Sequence, residues 1–281
     1  MLILERPWTR QPTSAVGVYP NRALSDGLTF AYLPSTNADE LRRQAYAAVG
    51  TPIRPAASGI AIAGDGSTAN YVKHVTSAEN LVGNTSAIVL LTLGTTTGTR
   101  VLFDVADSTA NRLGGLSIND GAAGRISFYR SIGIRDQASG TVANVVAENE
   151  TCLVGISVGP NIRSIPAMYK NGVAYSASAW YGPNGADGEM TQTHPSTKYL
   201  GANFAAGQLL NGKIYLVAFW NRLLSAAEHA ALALNPWQLF APRRIYIPTA
   251  AAAAGVPTLS ASTYVSGSLT STGWRPQVTA S

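Results

Sequence analysis

The sequence predicts an all-β protein built around an antiparallel sandwich or barrel, and three observations lead to this prediction. Two runs are too uniformly apolar for a half-exposed strand and too short for a membrane span, at residues 87–93 (AIVLLTL) and 213–220 (KIYLVAFW). Between residues 59 and 134, segments with strand character recur at roughly ten-residue spacing. Asn-Asp-Gly at 119–121 and Asn-Gly at 171–172 indicate hairpin turns, because these residues tolerate a positive φ.

The first residues of the chain predict an extended arm. Pro7 and Pro12 disfavour a helix, and Trp8 between Arg6 and Arg10 supplies a large apolar anchor. Because an exposed tryptophan is unfavourable, we expect the arm to dock, either along its own sandwich or on a neighbouring subunit. The sequence leaves both interpretations open.

One helix and then several strands are predicted in the next part of the chain. Residues 38–49 (ADELRRQAYAAV) have helical composition and are followed by the breaker Gly50. Beyond them, the strand pattern is strongest in four segments, at residues 87–93, 101–105, 115–118 and 125–130.

The region 201–242 combines a turn, a strand and a helix. Asn211-Gly212 is predicted to be a tight turn, and the following run at 213–220 is predicted to be the central strand of a sheet. Ser225-Ala-Ala-Glu228 has the form of a capping box, so a helix should begin there and end at Asn235-Pro236. Four apolar positions of this helix share one face: Ala227, Ala230, Ala231 and Leu234.

The motif order in this region, LNGKI…AFWNRLLSAAEHAAL…NPWQLF, resembles the end of the laminin-G-like, concanavalin-A-like jelly-roll domains of tailed-phage virion proteins. Upstream passages that begin at Ser58 (SGIAIAGDGSTANYV), Cys152 (CLVGISV) and Tyr199 (YLGAN) resemble the same family. The resemblance implies an antiparallel two-sheet jelly-roll sandwich with one short C-terminal helix and extended terminal arms. It divides the chain into an N-terminal arm and lead-in segment at 1–54, a jelly-roll domain at 55–242 and a C-terminal extended arm at 243–281.

The composition favours a protein interface over a nucleic-acid surface. Charged residues make up 12% of the chain and the net charge is +5, but the basic residues are spread along the sequence rather than clustered. Arginine outnumbers lysine sixteen to four, and its planar fork suits interfaces. We therefore expect no nucleic-acid partner, and no membrane insertion because no stretch reaches 18 apolar residues.

The two ends of the chain carry similar Arg/Pro/Trp anchors. Arg6, Trp8 and Arg10 stand near the N-terminus, and Trp274 and Arg275 stand near the C-terminus, after an alanine run and a Ser/Thr-rich stretch. We interpret these residues as assembly contacts.

Catalytic chemistry is not predicted. The laminarinase-type glucanases, which have this fold, use a Glu-x-Asp-x-Glu triplet that is missing here. The nearest acidic pairs are Glu148 with Glu150, in a predicted turn, and Asp187 with Glu189. We expect no catalytic residue and no enzyme.

Metal and thiol chemistry are not predicted either. His74, His194 and His229 lack the spacing of zinc ligands, and His229 is expected to be surface-exposed or half-buried on the helix. Cys152 is expected to be a buried core thiol. We expect no cofactor, with calcium as the alternative. Its candidate ligands would be Asp65, Asp104, Asp107 and Asp187.

Residues 176–198 are the longest stretch without a strand pattern, and they are the predicted binding loop. Trp180, Tyr181, Asn184 and Asp187 combine aromatic rings with hydrogen-bonding groups, as glycan sites do. The alternative is that both rings pack under the loop or at a subunit contact.

Taken with the resemblance, these features predict a non-enzymatic structural protein on the surface of a tailed-phage virion, in head decoration or associated with the tail. Its partners would be other virion proteins and copies of itself, with a trimer as the hypothesis, and assembly would take place in the host cytoplasm. The alternative is an adsorption module of a tail fibre or baseplate that binds a host surface glycan.

Overall fold

The structure is a computed structural model. It describes residues 2–6, 9–12, 17–18, 23–40, 44–56, 59–76, 81, 83–106, 111–132, 135–181, 196–241 and 243–247. In these ranges the chain is all-β with one short α-helix, which confirms the predicted fold class.

The described strands, in chain order, are β1 (Leu2–Arg6), β2 (Leu28–Leu33), β3 (Ala38–Asp39), β4 (Gln44–Ala45), β5 (Ala47–Val49), β6 (Ile53–Ala56), β7 (Gly59–Asp65), β8 (Tyr71–Thr76), β9 (Thr85–Leu93), β10 (Arg100–Ala106), β11 (Asn111–Ile118), β12 (Ile126–Ile132), β13 (Arg135–Thr141), β14 (Thr151–Val158), β15 (Ala167–Lys170), β16 (Val173–Tyr175), β17 (Ala177–Tyr181), β18 (Ser196–Leu200), β19 (Asn211–Trp220) and β20 (Arg243–Ile247). The helix α1 spans Ala226–Leu234, and short 3-10 helices span Ala23–Ser25 and Pro236–Leu239.

Two antiparallel sheets form the sandwich. The eight-stranded sheet has the order β17-β13-β12-β11-β10-β18-β8-β5. The ten-stranded sheet has the order β16-β15-β14-β9-β19-β2-β3-β4, with β7 also pairing with β19 and β6 pairing with β7. These strands lie in one compact unit, residues 6–243. The described residues 2–5 and 244–247 belong to a separate unit, and β1 and β20 pair in a two-stranded sheet.

Strand β19 is buried on both faces, as its unbroken apolar sequence predicts. On one face, Ile214, Val217 and Phe219 belong to the core between the two sheets. On the other, Tyr215 and Trp220 belong to a second core, which also contains residues of α1 and of the segment after it. The strand pairs with β9, β2 and β7, so its predicted central position is confirmed.

Helix α1 begins with the predicted capping box. The Ser225 hydroxyl accepts a hydrogen bond from the Glu228 backbone N–H at 3.2 Å, and the Glu228 carboxylate accepts one from the Ser225 N–H at 2.8 Å. Arg222 adds an ion pair to Glu228 at 2.6 Å. The buried face of the helix carries His229 and Leu232. The alanine face singled out in the sequence points outward, because this helix buries its opposite side against the sheet.

Two local predictions were wrong. Short strands at Ala38–Asp39, Gln44–Ala45 and Ala47–Val49 stand where a helix was predicted, because pairing with β2 and β8 outweighs the helical propensity of the segment. Asn211-Gly212 is not a turn but the start of β19, where Gly212 has φ 139° and a Cβ would lie 2.2 Å from the Thr92 carbonyl oxygen. The turn at Asn171-Gly172 is confirmed, with both residues at positive φ.

Candidate functional site

One row of cross-strand partners crosses the whole eight-stranded sheet. Neighbours in the row are paired residue by residue from β17 to β5. The row consists of Tyr181, Ala138, Tyr129, Gly115, Asp104, Tyr199, Lys73 and Ala47.

This row lies on the outer face of the sheet. Residues adjacent in sequence to its members, among them Phe103, Leu116 and Phe128, point the other way and belong to the core between the sheets. Lys73 and Ala47, at one end of the row, are exposed. Asp104 and Tyr129 are buried on this face. We call the partly exposed surface formed beside them by Arg112, Tyr199 and Phe204 the outer-face site.

Gly115 makes room in the middle of the row. A Cβ at this position would lie 2.4 Å from Cε2 and 2.7 Å from Cζ of Tyr129, so the tyrosine ring occupies the space that a side chain would fill. The ring therefore leans over the sheet backbone instead of standing away from it.

A bulge in β11 turns Arg112 towards the same face. The pairing of β10 with β11 shifts between Val105 and Ala106, and Leu113 is left over. Leu113 packs into the core, while Arg112 pairs with Ala106 and joins the outward residues. Such a bulge re-aims a side chain, which is a common use of bulges near binding sites.

The guanidinium of Arg112 lies among one carboxylate and two aromatic rings. Its Nε is 3.0 Å from Oδ1 of Asp104, as an ion pair without the alignment of a hydrogen bond. Its central carbon is 4.3 Å from the centre of the Tyr129 ring and 5.5 Å from that of Phe204. The Arg112 side chain is 18% exposed.

The Asp104 carboxylate contacts both Arg112 and the backbone of Phe204. Its side chain is fully buried, and its Oδ2 accepts a hydrogen bond from the Phe204 backbone N–H at 3.0 Å. Burial raises the pKa of Asp104 to about 6, although the positive charge of Arg112 and the Phe204 N–H oppose this shift. One carboxylate thus fixes both Arg112 and the segment that carries Phe204.

Further aromatic surface lies beside Asp104 along the row. The rings of Tyr199 and Tyr71 are 6.2 Å apart and pack with Ala202 and Leu209. Tyr199 and Phe204 are only partly buried. The outer-face site therefore combines partly exposed rings with a guanidinium that can donate hydrogen bonds, which is a combination suited to a ligand with one apolar face and polar edges.

The predicted glycan residues fall on β17 and beyond it. Trp180 and Tyr181 end β17, and the backbone of Tyr181 belongs to the row that contains Tyr129. Asn184 and Asp187 lie outside the described residues. Strands β17 and β18 occupy both ends of the predicted loop at 176–198.

Of the predicted assembly residues, Arg6 ends β1 and Arg10 is exposed. Trp8, Trp274 and Arg275 lie outside the described residues.

The sequence analysis missed Arg112, Tyr129 and Phe204. The available signal was the pair Gly114-Gly115 inside a strand pattern, since glycine in a strand often marks a bulge or a close approach of another group.

The other described acidic residues that the sequence singled out lie apart from this site. Glu148 is exposed in a turn, and Glu150 forms an ion pair with Lys170 at 2.7 Å. Asp65 accepts hydrogen bonds from Ser67 and Thr68. Among the residues that the structure describes, no group of three or more His, Cys, Asp or Glu side chains could hold a metal ion. Asp107 lies outside those residues.

His229 was predicted to be exposed or half-buried, and this prediction was wrong. The side chain is 1% exposed, its Nε2 is 2.9 Å from Oγ of Ser157, and its ring stacks on Tyr169 at 3.9 Å. Burial lowers the pKa of His229 to about 4, so the imidazole is neutral near pH 7. The prediction for Cys152 was correct, because this thiol is buried and burial raises its pKa to about 12.

No protein-family model and no curated protein matches this chain. Solved structures do match. A Trypanosoma rangeli sialidase in complex with sialic acid has a TM-score of 0.51 at 16% identity, over 80% of this chain and 36% of the sialidase chain. A structure described as HCR/D-Sa-GBL1/C has a TM-score of 0.52 at 13% identity, over 76% of this chain and 53% of its own.

The CBM40 of a Ruminococcus gnavus IT-sialidase, bound to alpha2,3 sialyllactose, has a TM-score of only 0.40 at 12% identity, over 54% of this chain and 83% of its own. The two structures with TM-scores above 0.5 agree with the sandwich fold. This chain spans little more than a third of the sialidase.

The sialidase match overturns the expectation that the protein is not an enzyme. That expectation rested on the absence of the glucanase triplet from the sequence. The fold, however, is shared with chains that are named as a sialidase, which is an enzyme of another kind. The likeness is one of fold and assigns no reaction to this chain. In the described residues, no helix has the length and hydropathy needed to cross a bilayer.

Proposed function

We propose that this protein is a glycan-binding module and that the sugar lies on the outer-face site. The observation that carries the proposal is the position of Arg112, whose partly exposed side chain lies beside the rings of Tyr129 and Phe204. The likeness to solved structures supports only the scaffold.

The chemistry of sugars fits this surface. A pyranose ring has an apolar C–H face that packs on an aromatic ring, and its hydroxyls accept hydrogen bonds from a fixed donor such as arginine. Because Asp104 and the leaning ring of Tyr129 hold the guanidinium in place, little side-chain entropy is left to lose on binding. The backbone register brings Tyr181 of the predicted glycan set into the same row.

The test is binding of the whole chain to a glycan array, followed by calorimetry with the best ligand. Tyr199→Leu should weaken binding at least tenfold, because it removes a partly exposed ring on which the sugar can pack. Tyr175→Leu is the matched control, since Tyr175 is a partly buried tyrosine in β16, at the edge of the other sheet. Equal binding by the Tyr199 variant and the wild type would refute the site.

The sequence resemblance supports a finer proposal, in which the module is carried on the surface of a tailed-phage virion, in the head or the tail. Its partners would be copies of itself, with a trimer as the hypothesis, and other virion proteins. The terminal arms would make these contacts, and assembly would take place in the host cytoplasm.

Imaging of purified particles with and without this chain tests the virion proposal. Density over the capsid would mean decoration of the head. Density at the tail tip, with particles that no longer adsorb when the chain is missing, would mean host recognition. Absence of the chain from particles would refute the virion role and leave the sugar site to be judged by its own binding data.

A further inference from the structure

We propose that two copies of this chain pair through one lateral edge of the sandwich. The segment at residues 173–181 of each copy lies antiparallel to the same segment of the other copy. This contact is separate from glycan binding and from the terminal arms, and a two-fold contact can coexist with a trimer that the arms hold together.

The segment 173–181 forms the edge of both sheets on one side of the sandwich. Strand β16 ends the order of the ten-stranded sheet, and β17 ends the order of the eight-stranded sheet. Only Ser176 separates the two strands, so one continuous stretch of chain forms both edges. Within the described ranges, no strand pairs with β16 or β17 on the outward side. Their outward backbone N–H and C=O groups are therefore available to a further strand.

This edge is open to solvent and has apolar side chains beside it. Four of its residues are exposed: Val173, Ala174, Ser176 and Ser178. Val173 is 60% exposed. Helix α1 lies beside the turn that leads into β16, since a Cβ on Gly172 would lie 2.5 Å from Cα of Ala230. One turn further along this helix, Leu234 is 89% exposed, so covering the edge also removes apolar surface from water.

Other edge strands of the sandwich are protected, and this one is not. Natural sheets protect a free edge with a charge, a proline or a very short strand. Strands β4 and β5 are two and three residues long, and β6 contains Arg54 and Pro55. The segment 173–181 (VAYSASAWY) has no charged residue and no proline, and β16 and β17 follow one another to make a longer edge. Such an uncharged, strand-forming edge is a pairing surface.

The chemistry of the segment suits a second copy of itself. A two-fold axis brings like residues together, so a charge near the axis would face its own kind. With the axis at Ser176, two hydroxyls meet there, and Tyr175 of one copy lies opposite Ala177 of the other, a large side chain beside a small one. The charged residue that precedes the segment in sequence, Lys170, is already paired with Glu150 at 2.7 Å. Pairing therefore buries no charge of the segment, and it joins β16 of each copy to β17 of the other.

The first experiment is oxidative cross-linking of the whole chain that carries Ser176→Cys. Residues directly opposite each other in an antiparallel pair have Cα atoms about 4.5–5.5 Å apart, which suits a disulfide. The natural thiol, Cys152, is buried. We expect Ser176→Cys to give a disulfide-linked dimer in non-reducing electrophoresis. Ala48→Cys is the matched control, since Ala48 is exposed in the edge strand β5, and it should stay unlinked.

The second experiment places charges at the axis and measures association by sedimentation velocity over a concentration series. Ser176→Lys brings two ammonium groups together, so its dissociation constant should rise at least about tenfold above that of the wild type. Ser176→Asp should have the same effect. An equimolar mixture of the two variants should pair again, because opposite charges then meet, and this recovery also shows that both variants are folded. Ala48→Lys should associate as the wild type does.

Three outcomes would overturn the proposal. The first is a wild-type chain that sediments as a monomer at every concentration. The second is association that Ser176→Lys leaves unchanged, because the contact would then lie elsewhere, as in the arms. The third is a Ser176→Cys chain that stays unlinked although the wild type dimerises. Binding on the glycan array is measured separately, so the failure of one proposal is distinguishable from the failure of the other.

Discussion

Lowering the pH from 7.5 to 4.5 should destabilise the protein through His229 by about 2.5 kcal/mol. The imidazole is buried between the ten-stranded sheet and α1, where Nε2 meets Ser157 and the ring stacks on Tyr169. A Cβ on Gly155 would lie 2.6 Å from Nδ1, which shows how closely the sheet backbone approaches this nitrogen. There is no room for the hydration that a charged imidazolium needs.

The sign follows from the two pKa values of this histidine. Burial lowers the pKa to about 4 in the folded protein, against 6.5 in the unfolded chain. Between these values the unfolded chain binds a proton that the folded protein does not, so the free energy of unfolding falls as the pH falls. His229 costs almost nothing above pH 7.5, about 2.5 kcal/mol by pH 4.5, and little more below pH 4.

Asp104 acts in the opposite direction over the same range. Its pKa is raised from 3.8 to about 6, so the folded protein takes up the proton first and gains about 2 kcal/mol between pH 7.5 and 4.5. The two effects nearly cancel in the wild type. A flat stability profile of the wild type would therefore say nothing about either group alone.

The assay compares urea unfolding of the wild type and His229→Gln at pH 7.5, 6.0 and 4.5. Glutamine is neutral at every pH and can keep a donor near Ser157. The stability advantage of the wild type over the variant should shrink by about 2.5 kcal/mol between pH 7.5 and 4.5. A difference that stays constant within 0.5 kcal/mol (about the error of one such comparison), or an NMR titration midpoint of the His229 ring near 6.5, would refute the reasoning.

Three further substitutions test the packing. Gly155→Ala should destabilise the protein by about 2 kcal/mol in urea unfolding, because the new methyl group meets the rigidly packed His229 ring, and an unchanged midpoint would contradict this contact. Gly115→Ala should also destabilise the protein by about 2 kcal/mol, because the new methyl group meets the ring of Tyr129, which is buried beside Arg112; an unchanged unfolding midpoint would contradict this contact. Ser225→Ala removes the N-cap of α1 and should lower the free energy of unfolding by about 1 kcal/mol, whereas a neutral result in the same assay would mean that the helix end is stabilised by packing alone.

The parts of the fold that could be predicted have local causes. The apolar run of β19 and the capping box of α1 each consist of residues that are close together in the sequence, and both were found at the predicted place. The segment at 38–49 was misread because its helical propensity is local, whereas its strand pairing depends on β2 and β8. The burial of His229 was also missed, because its contact with the sheet depends on residues distant in sequence.

The candidate site could not be predicted for a related reason. Asp104, Arg112 and Tyr129 come from three strands, and they meet only because the register aligns them and one bulge turns Arg112 outward. No spacing along the sequence encodes that meeting. Tyr181 was singled out for its aromatic ring, and its place in the row follows from the pairing of β13 with β17.

The pairing of β2 with β19 also bears on how the chain folds during synthesis. Residues 28–33 have their partner at 211–220, and the Gln11 side chain donates a hydrogen bond to the Tyr215 carbonyl across 204 residues of sequence. Until β19 has left the ribosome, β2 and β9 lack the strand that lies between them, and their apolar edges stay unpaired. The ten-stranded sheet must therefore close late and slowly, as expected for a fold of high contact order. A ribosome-stalled chain that ends before residue 211 should be cut readily by protease, and one extended well past residue 241 should resist.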